Sequence, residues 1–264
     1  MCKRLIQKIA TYKKEKRKIP SKLYKYRSLQ IVYNENGEKV SDGMERCIDI
    51  IKNHRLYFPR REDLNDPYEG VAVPIKLGVC GESLYEALGQ YHNIIQEKID
   101  KYKVLSLSAT PLNMQMWAHY ANNYDGICFE FDRKGIFTKA SAVEYIRKPF
   151  ATVYEPEFEE MEKIINQNFF YKSKHWDYER EYRIVSKTEE KYIQFNKSQL
   201  TGIIIGSKAM EREDVKERLI KLANEENIPV YYTFFTPKEY KLSIVTKEDI
   251  MDLGGIELKD VLYL

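Results

Sequence analysis

The sequence predicts an α+β fold: a single domain on a mixed or antiparallel central sheet with flanking helices. Three observations predict it. Short stretches that alternate apolar and polar residues with a period of two mark strands along most of the chain. Between them lie stretches with apolar residues at i, i+3, i+4 and i+7, the spacing of a helix face. No internal repeat or low-complexity linker divides the 264 residues, 43% of which are hydrophobic. That apolar content suffices for one large domain or two small ones.

Residues 1–20 read as a basic N-terminal helix or arm, with residues 21–264 as the domain. Eight lysines and arginines fall within residues 1–18 against the lone acid Glu15, while Leu5, Ile6 and Ile9 share one helical side. The segment is therefore either a docked, solvated helix or a tail for an acidic partner. Leu23-Tyr24-Lys25-Tyr26-Arg27 is a first strand, and Asn34-Glu35-Asn36-Gly37 is a turn. Met44, Cys47, Ile48 and Ile51 mark a helix, and Leu56-Tyr57-Phe58 a short strand stopped by Pro59. Residues 60–70 form a loop rich in turn formers. Leu84, Leu88, Tyr91, Ile95 and Ile99 suggest a second helix, followed by a strand over Lys103–Ser108. Pro111 opens a helix carrying Met114, Trp117, Ala118 and Ala121. Strands are expected at Gly126–Phe131 and Ala140–Arg147, then an acidic helix from about Glu155 to Phe170. Trp176 to Ile184 alternates as a strand, with Asp177, Glu179, Glu181 and Arg183 on one face. Leu200–Ile205 is almost wholly apolar, hence central. A charged helix over Met210–Glu226, with Val215, Leu219 and Leu222 inward, and strands at Pro229–Phe235 and Leu242–Val245 complete the sheet.

A net charge of +3 is too mild to call for nucleic acid or a membrane as partner. No apolar run nears the ~20 residues of a membrane span, and no signal-peptide core follows the basic start. Cys2, Cys47, Cys80 and Cys128 lack metal-ligand spacing, so reduced thiols in a cytoplasmic protein are expected and no zinc site. No P-loop, dinucleotide-binding or zincin motif occurs. The 21 tyrosines suit half-wet clefts, and strands as well.

Four constellations carry candidate chemistry. Glu179 and Glu181 are either a carboxylate pair in one cleft or partners of Arg180, Arg183 or a lysine. Met116-Trp117-Ala118-His119-Tyr120 is either a helix with Trp117 in the core or the carrier of an acid–base His119 beside Tyr120. Asn65-Asp66-Pro67 either bonds its own backbone or presents Asn65 and Asp66 to a ligand. Ser106 and Ser108 end a strand where phosphate groups bind, while Thr110 before Pro111 reads as a helix N-cap.

In order, Leu23-Tyr24-Lys25-Tyr26-Arg27, Leu56-Tyr57-Phe58, Leu64-Asn65-Asp66-Pro67, Ser106-Leu107-Ser108, Met116-Trp117-Ala118-His119-Tyr120-Ala121, Asp125-Gly126-Ile127-Cys128 and Trp176 to Arg183 resemble a bacterial family. It is the family called domain of unknown function 2971, and the resemblance runs from about Ser21 to about Ser207, a family-like core of 21–207. The order of parts also resembles, more distantly, an ADP-ribosyltransferase. That second resemblance implies a related fold, NAD as substrate, and a role in phage defence or a toxin–antitoxin pair. It implies that Arg27 holds the pyrophosphate or ribose and that Ser106 or Ser108 supports the ribose. Glu181 then stabilises an oxocarbenium-like cation while Glu179 orients the acceptor, and Tyr120 or Tyr24 stacks on nicotinamide. Arg183 fixes the carboxylates. The serine motif reads Ser-Leu-Ser and lies far from the glutamates in the chain, and His119-Tyr120 has no place in the transferase scheme.

Two other classes stay open. Asp66, Glu130, Asp132 and Lys134 supply the groups of a metal-dependent nuclease. Alternatively, the Asn65-Asp66-Pro67 loop and Trp117-Ala118-His119-Tyr120 line the pocket of a non-catalytic module that binds a nucleotide or a partner.

Overall fold

The computed structural model describes residues 19–66, 93, 96–147, 168–236 and 241–252. The basic arm, most of the helix expected at Leu84 to Ile99 and most of that expected at Glu155 to Phe170 lie outside these residues.

The expected α+β fold is borne out. In chain order the elements begin with β1 (Lys22–Ser28), β2 (Ile31–Tyr33), β3 (Lys39–Asp42), α1 (Gly43–Asn53) and β4 (Arg55–Tyr57). They continue with β5 (Tyr102–Ser108), α2 (Met114–Tyr120), β6 (Gly126–Asp132), β7 (Ser141–Ala142), β8 (Glu144–Ile146), β9 (Tyr171–Ser173) and β10 (Glu181–Lys187). The last are β11 (Tyr192–Gln194), β12 (Leu200–Ile205), a π-helical stretch (Val215–Ile220) running into α3 (Lys221–Glu225), β13 (Val230–Thr236), β14 (Lys241–Val245) and α4 (Lys247–Asp252).

Eight strands form one mixed sheet in the order β14-β13-β12-β6-β1-β5-β10-β7. β12 and β13 run parallel because the helical crossover through Val215–Ile220 and α3 returns the chain to the same end; the other paired neighbours are antiparallel. Alternation along β1, β5, β6 and β12 sorts side chains onto two faces. One face packs Leu23, Leu105, Leu107, Phe129, Phe131, Ile203 and Ile205 against Met44, Cys47 and Ile51 of α1 and Val215, Leu219 and Leu222 of the crossover. The other packs Tyr26, Cys128 and Ile204 against Met116 and Trp117 of α2.

Local chemistry explains the element ends. Asn34 accepts from the backbone N–H groups of Asn36 and Glu38, and Gly37 takes φ +75°, so the expected turn joins β2 and β3. Asp42 caps α1 by accepting from Glu45 N at 3.1 Å. Two expectations are corrected. The helix of Trp117 starts at Met114 with Asn113 as its cap, because Asn113 Oδ1 accepts from Met116 N, while Thr110 accepts from Leu112 N one turn earlier. Trp176 to Ile184 is not one strand: Lys174–Glu179 is a 3-10 turn closed by Arg180 in the left-handed region (φ 47°), and β10 begins at Glu181. Arg180 N donates to Asp177 O, so the backbone turns instead of extending.

β1 is laddered to β6 along all seven of its residues, from Lys22↔Asp132 to Ser28↔Gly126. To β5 it pairs at Tyr24↔Ser108 alone. The sheet therefore splits between β1 and β5, and the split is the entrance to the cleft described below. Gly126 anchors the far end of the β1–β6 ladder. A Cβ there would collide with the carbonyl oxygen of Arg27 and come within 2.8 Å of Ala121 O. Gly126→Ala is expected to lower stability by about 1–3 kcal/mol or more, as forced overpacking does, read as a lower urea midpoint at unchanged slope.

Candidate functional site

A cleft of about 540 Å³ opens at the split, a size that suits a small-molecule site. One lip carries Tyr24, Lys25 and Arg27 of β1, and the other Ser106 and Ser108 of β5. Lys25 Nζ donates to Ser106 O at 2.6 Å. This amine supplies the donor that a continued β1–β5 ladder would have provided from its backbone. Glu179, Glu181 and Lys172 close one side, His119 and Tyr120 of α2 the next, and Arg46, Tyr57, Asp63 and Asn65 the rest.

Most of the residues singled out from sequence thus converge: Tyr24, Arg27, Asn65, Ser106, Ser108, His119, Tyr120, Glu179 and Glu181 line one cleft. Strands β1, β5 and β10, bearing Arg27, the serines and Glu181, are consecutive in the sheet, which brings together groups far apart in the chain. Trp117, Arg183 and Asp66 lie behind the wall. Trp117 is fully buried; its Nε1 donates to Pro111 O at 2.8 Å, and its ring meets Tyr26 edge-on at 5.2 Å. The indole is thus committed to the core and does not face a ligand. Asp66 is buried as well.

The carboxylate pair sits in a buried ionic cluster. Arg183, fully buried, grips Glu181 with both ends of its fork, Nε to Oε1 and Nη2 to Oε2, each 2.8 Å. Lys172 Nζ donates to Glu179 at 2.6 Å and reaches Glu181 at 3.5 Å. Tyr120 OH donates to the second oxygen of Glu179 at 2.5 Å. The main chain is tied in too, since Ser108 Oγ donates to Glu179 O at 2.7 Å and Glu181 N donates to Tyr145 OH at 2.8 Å. Glu181 and Arg183 share a face as the period of two requires. Glu179 joins them by way of the Arg180 turn, not along a common strand.

Their environments push the two carboxylates apart. For Glu181, burial raises the pKa, but Arg183, then Lys172 and a hydrogen bond from Ser106 outweigh it and bring it to about 2. For Glu179, burial dominates and the neighbouring Glu181 adds to it, so its pKa stands above the ordinary value despite Lys172. Tyr120 is held protonated, by burial and then by Glu179. His119 is exposed at the rim, its ring 6.1 Å from that of Tyr178.

The cleft also carries cations outside this cluster, Lys25, Arg27 and Arg46. Burial, then the adjacent Arg27, lowers Lys25 to about 7. Arg27 Nε is buried with no hydrogen-bond partner. Sequence reasoning passed over Lys25, Arg46 and Lys172. For Lys25 a signal existed: it shares a strand face with Arg27, two residues on. For Arg46 and Lys172 none was visible, because each is brought in by another element.

Among the described residues no group of three His, Cys, Asp or Glu side chains is placed to hold a metal ion. The groups considered for a nuclease do not assemble. Asp132 pairs with Lys134 at 2.7 Å, and Glu130 is held by Lys22, Tyr24 and Thr201. Cys47 and Cys128 are buried free thiols, with Cys47 pushed up to about 12 by burial. Among the described residues no helix is long and apolar enough to cross a membrane.

Because the folded pKa of Glu181 lies below its unfolded value of 4.5, its ionised form stabilises the fold. That contribution is complete above about pH 4.5 and is lost as the pH falls toward 2. Glu181→Gln, which strands Arg183, is expected to cost about 3–5 kcal/mol at neutral pH. The difference from the parent in urea unfolding should shrink steadily as the pH is lowered through this window; a gap independent of pH would contradict the assignment.

No curated protein and no solved structure matches the chain. Residues 116–184, from α2 through the carboxylate pair into β10, match the model of the family described as Protein of unknown function (DUF2971), which bears out the family resemblance over that stretch.

Proposed function

We propose that the cleft binds NAD and transfers its ADP-ribosyl group to water or to another acceptor. The observation that carries this reading is that one cleft holds both cationic groups and a pair of carboxylates. Lys25, Arg27 and Arg46 line it together with Glu179, Glu181, Tyr120 and His119. NAD has the matching polarity, with an anionic pyrophosphate and a ribose whose anomeric carbon turns cationic as nicotinamide departs.

In the proposed reaction the bond from ribose C1′ to the nicotinamide nitrogen breaks, and its electron pair leaves with neutral nicotinamide. Glu181, ionised throughout the neutral range, faces the resulting oxocarbenium-like centre. The acceptor oxygen bonds to C1′ and gives up its proton to Glu179, whose raised pKa suits it to take one. Tyr120, bonded to Glu179, holds that carboxylate in place, and Ser106, bonded to Glu181, supports the ribose side. Tyr24 and Tyr120 offer aromatic surface to the nicotinamide. Arg183 acts behind the wall by fixing Glu181.

One observation favours a second reading. Within the cluster the two carboxylates are balanced by Lys172 and Arg183, so the same cleft suits a module that binds a nucleotide without turning it over. Purified protein incubated with NAD decides between them. The transferase reading expects free nicotinamide, reduced at least about 100-fold in Glu179→Gln, as loss of an acid–base group does. A rise in melting temperature with NAD but no nicotinamide would favour the binding module, and neither response would overturn both.

A further inference from the structure

The proposed reaction gives no part to Trp176 or Tyr178 and no step to His119. His119 lines the cleft from α2, while Trp176 and Tyr178 stand on the 3-10 turn Lys174–Glu179 that ends in one of the two carboxylates. Their rings form a row. His119 lies 6.1 Å from Tyr178 at an interplanar angle of 42°, and Tyr178 lies 6.1 Å from Trp176 at 38°. His119 is exposed and the other two are half-buried, so ring surface stays in water. Two ties fix the row to the wall of the cleft. Asn113 Nδ2 donates to Tyr178 O at 2.7 Å, and Lys172 Nζ lies 4.8 Å from the centre of the Trp176 ring. Because His119 and Lys172 both line the cleft, the row skirts the wall that carries Glu179. A row of rings held in place yet left wet is surface that a planar ligand can cover. Charge selects among planar ligands. Asp177 is matched by Lys174 at 2.5 Å, and Glu179 and Glu181 by Lys172 and Arg183. Arg180 is exposed and enters no ion pair among the described residues. A cationic peptide at the rim would meet Arg180 and Lys172 and no free acid, whereas a neutral ring or one carried on phosphate meets no such repulsion.

We infer that His119, Tyr178 and Trp176 form a stacking rim for a planar nucleobase, and that this base belongs to the acceptor of the transfer. The first part stands on the ring geometry and the charge around it; the second rests on the transferase reading of the cleft. Aromatic side chains take any base through its flat face. A base laid on this row comes beside Glu179, since Tyr178 precedes that residue in the chain and Tyr120, next to His119, donates to its carboxylate. Glu179 is the group which that reading assigns to take the acceptor's proton. A hydroxyl, an amine or a ring N–H of the acceptor nucleoside then bonds to C1′ as nicotinamide leaves with the electron pair of the broken bond, and the proton passes to Glu179. The same base can arrive on a free nucleoside or on a single strand of nucleic acid. In a duplex its faces are covered by its neighbours.

Tryptophan fluorescence reads the rim directly. The chain has two tryptophans, Trp117 buried in the core and Trp176 half-buried, so the long-wavelength edge of the emission belongs to Trp176. Titration with the common nucleosides, and with a single-stranded oligonucleotide of about ten residues, should quench this edge, both with and without excess ADP-ribose. Tyr178→Ala should weaken the quenching ligand about tenfold, as loss of one stacking ring does, and Tyr178→Phe, which keeps the ring, should restore the affinity. Tighter binding of the strand than of its nucleosides identifies nucleic acid as the source of the base; equal binding identifies the nucleoside. No quenching by any of these, quenching abolished by ADP-ribose, or affinity unaltered by Tyr178→Ala would overturn the inference. So would quenching by a peptide rich in arginine and lysine where the nucleosides have no effect. Nicotinamide release from NAD without quenching would sink the rim and leave the transferase reading standing. Quenching without nicotinamide release would keep the base site and remove the transfer.

Discussion

β1 can complete its ladder with β6 or with β5, and it completes only the first. Seven consecutive residue pairs hold it to β6, whereas Tyr24↔Ser108 alone holds it to β5. Backbone groups released from a ladder must find other partners. Lys25 meets this demand on one lip by reaching across to Ser106 O. The rest of the gap is left open to polar side chains, and this is how a cleft forms in the middle of an eight-stranded sheet and not at its edge. Because the split lies between the strands that carry Arg27 and the serines, and one strand away from Glu181, residues nearly the length of the family-like core apart in sequence share one cavity.

The second constraint is electrostatic. Glu179, Glu181, Lys172 and Arg183 are all buried, an arrangement that is tolerated only when each charge is matched and hydrogen-bonded. Matching is nearly complete on Glu181, which leaves it a fixed anion. It is less complete on Glu179, where burial dominates. Two neighbouring carboxylates thereby acquire different protonation behaviour from burial and their immediate partners. Lys172 is central to this difference, since it reaches both carboxylates from β9 while its ammonium sits 4.8 Å from the Trp176 ring. Lys25, Arg27 and Arg46 line the same cleft and have no such partners among the ion pairs of the described residues.

Much of this was legible in the sequence, and the exceptions have physical causes. Strands with strong apolar patterns, such as β5, β6 and β12, lie close to their expected limits, and α1 carries the expected apolar face. The segment from Trp176 to Glu179 alternates like a strand, yet it turns, because a 3-10 turn and a strand place similar demands on so short a stretch and the left-handed Arg180 leaves no mark in composition. The grouping of Arg27, Ser106, Ser108, His119, Tyr120 and the glutamates came from the order of motifs; periodicity within single elements could not supply it, since adjacency in a sheet is a property of topology. Trp117 shows the limit of reading an aromatic near a histidine as a ligand contact: positions two apart on a helix lie about 200° apart around the axis, so His119 reaches the rim while Trp117 fills the core. Lys172 and Arg46 escaped notice because their significance arises only from contact with other elements.

The central claim is that the split sheet forms a single polar cavity, which we propose one nucleotide fills. A crystal structure of the protein with ADP-ribose tests it most directly. The proposal predicts the ligand in the β1–β5 split, with the distal ribose beside Glu179 and Glu181. Density for the ligand away from the β1–β5 split, or in the split with its diphosphate against the glutamates, would contradict it.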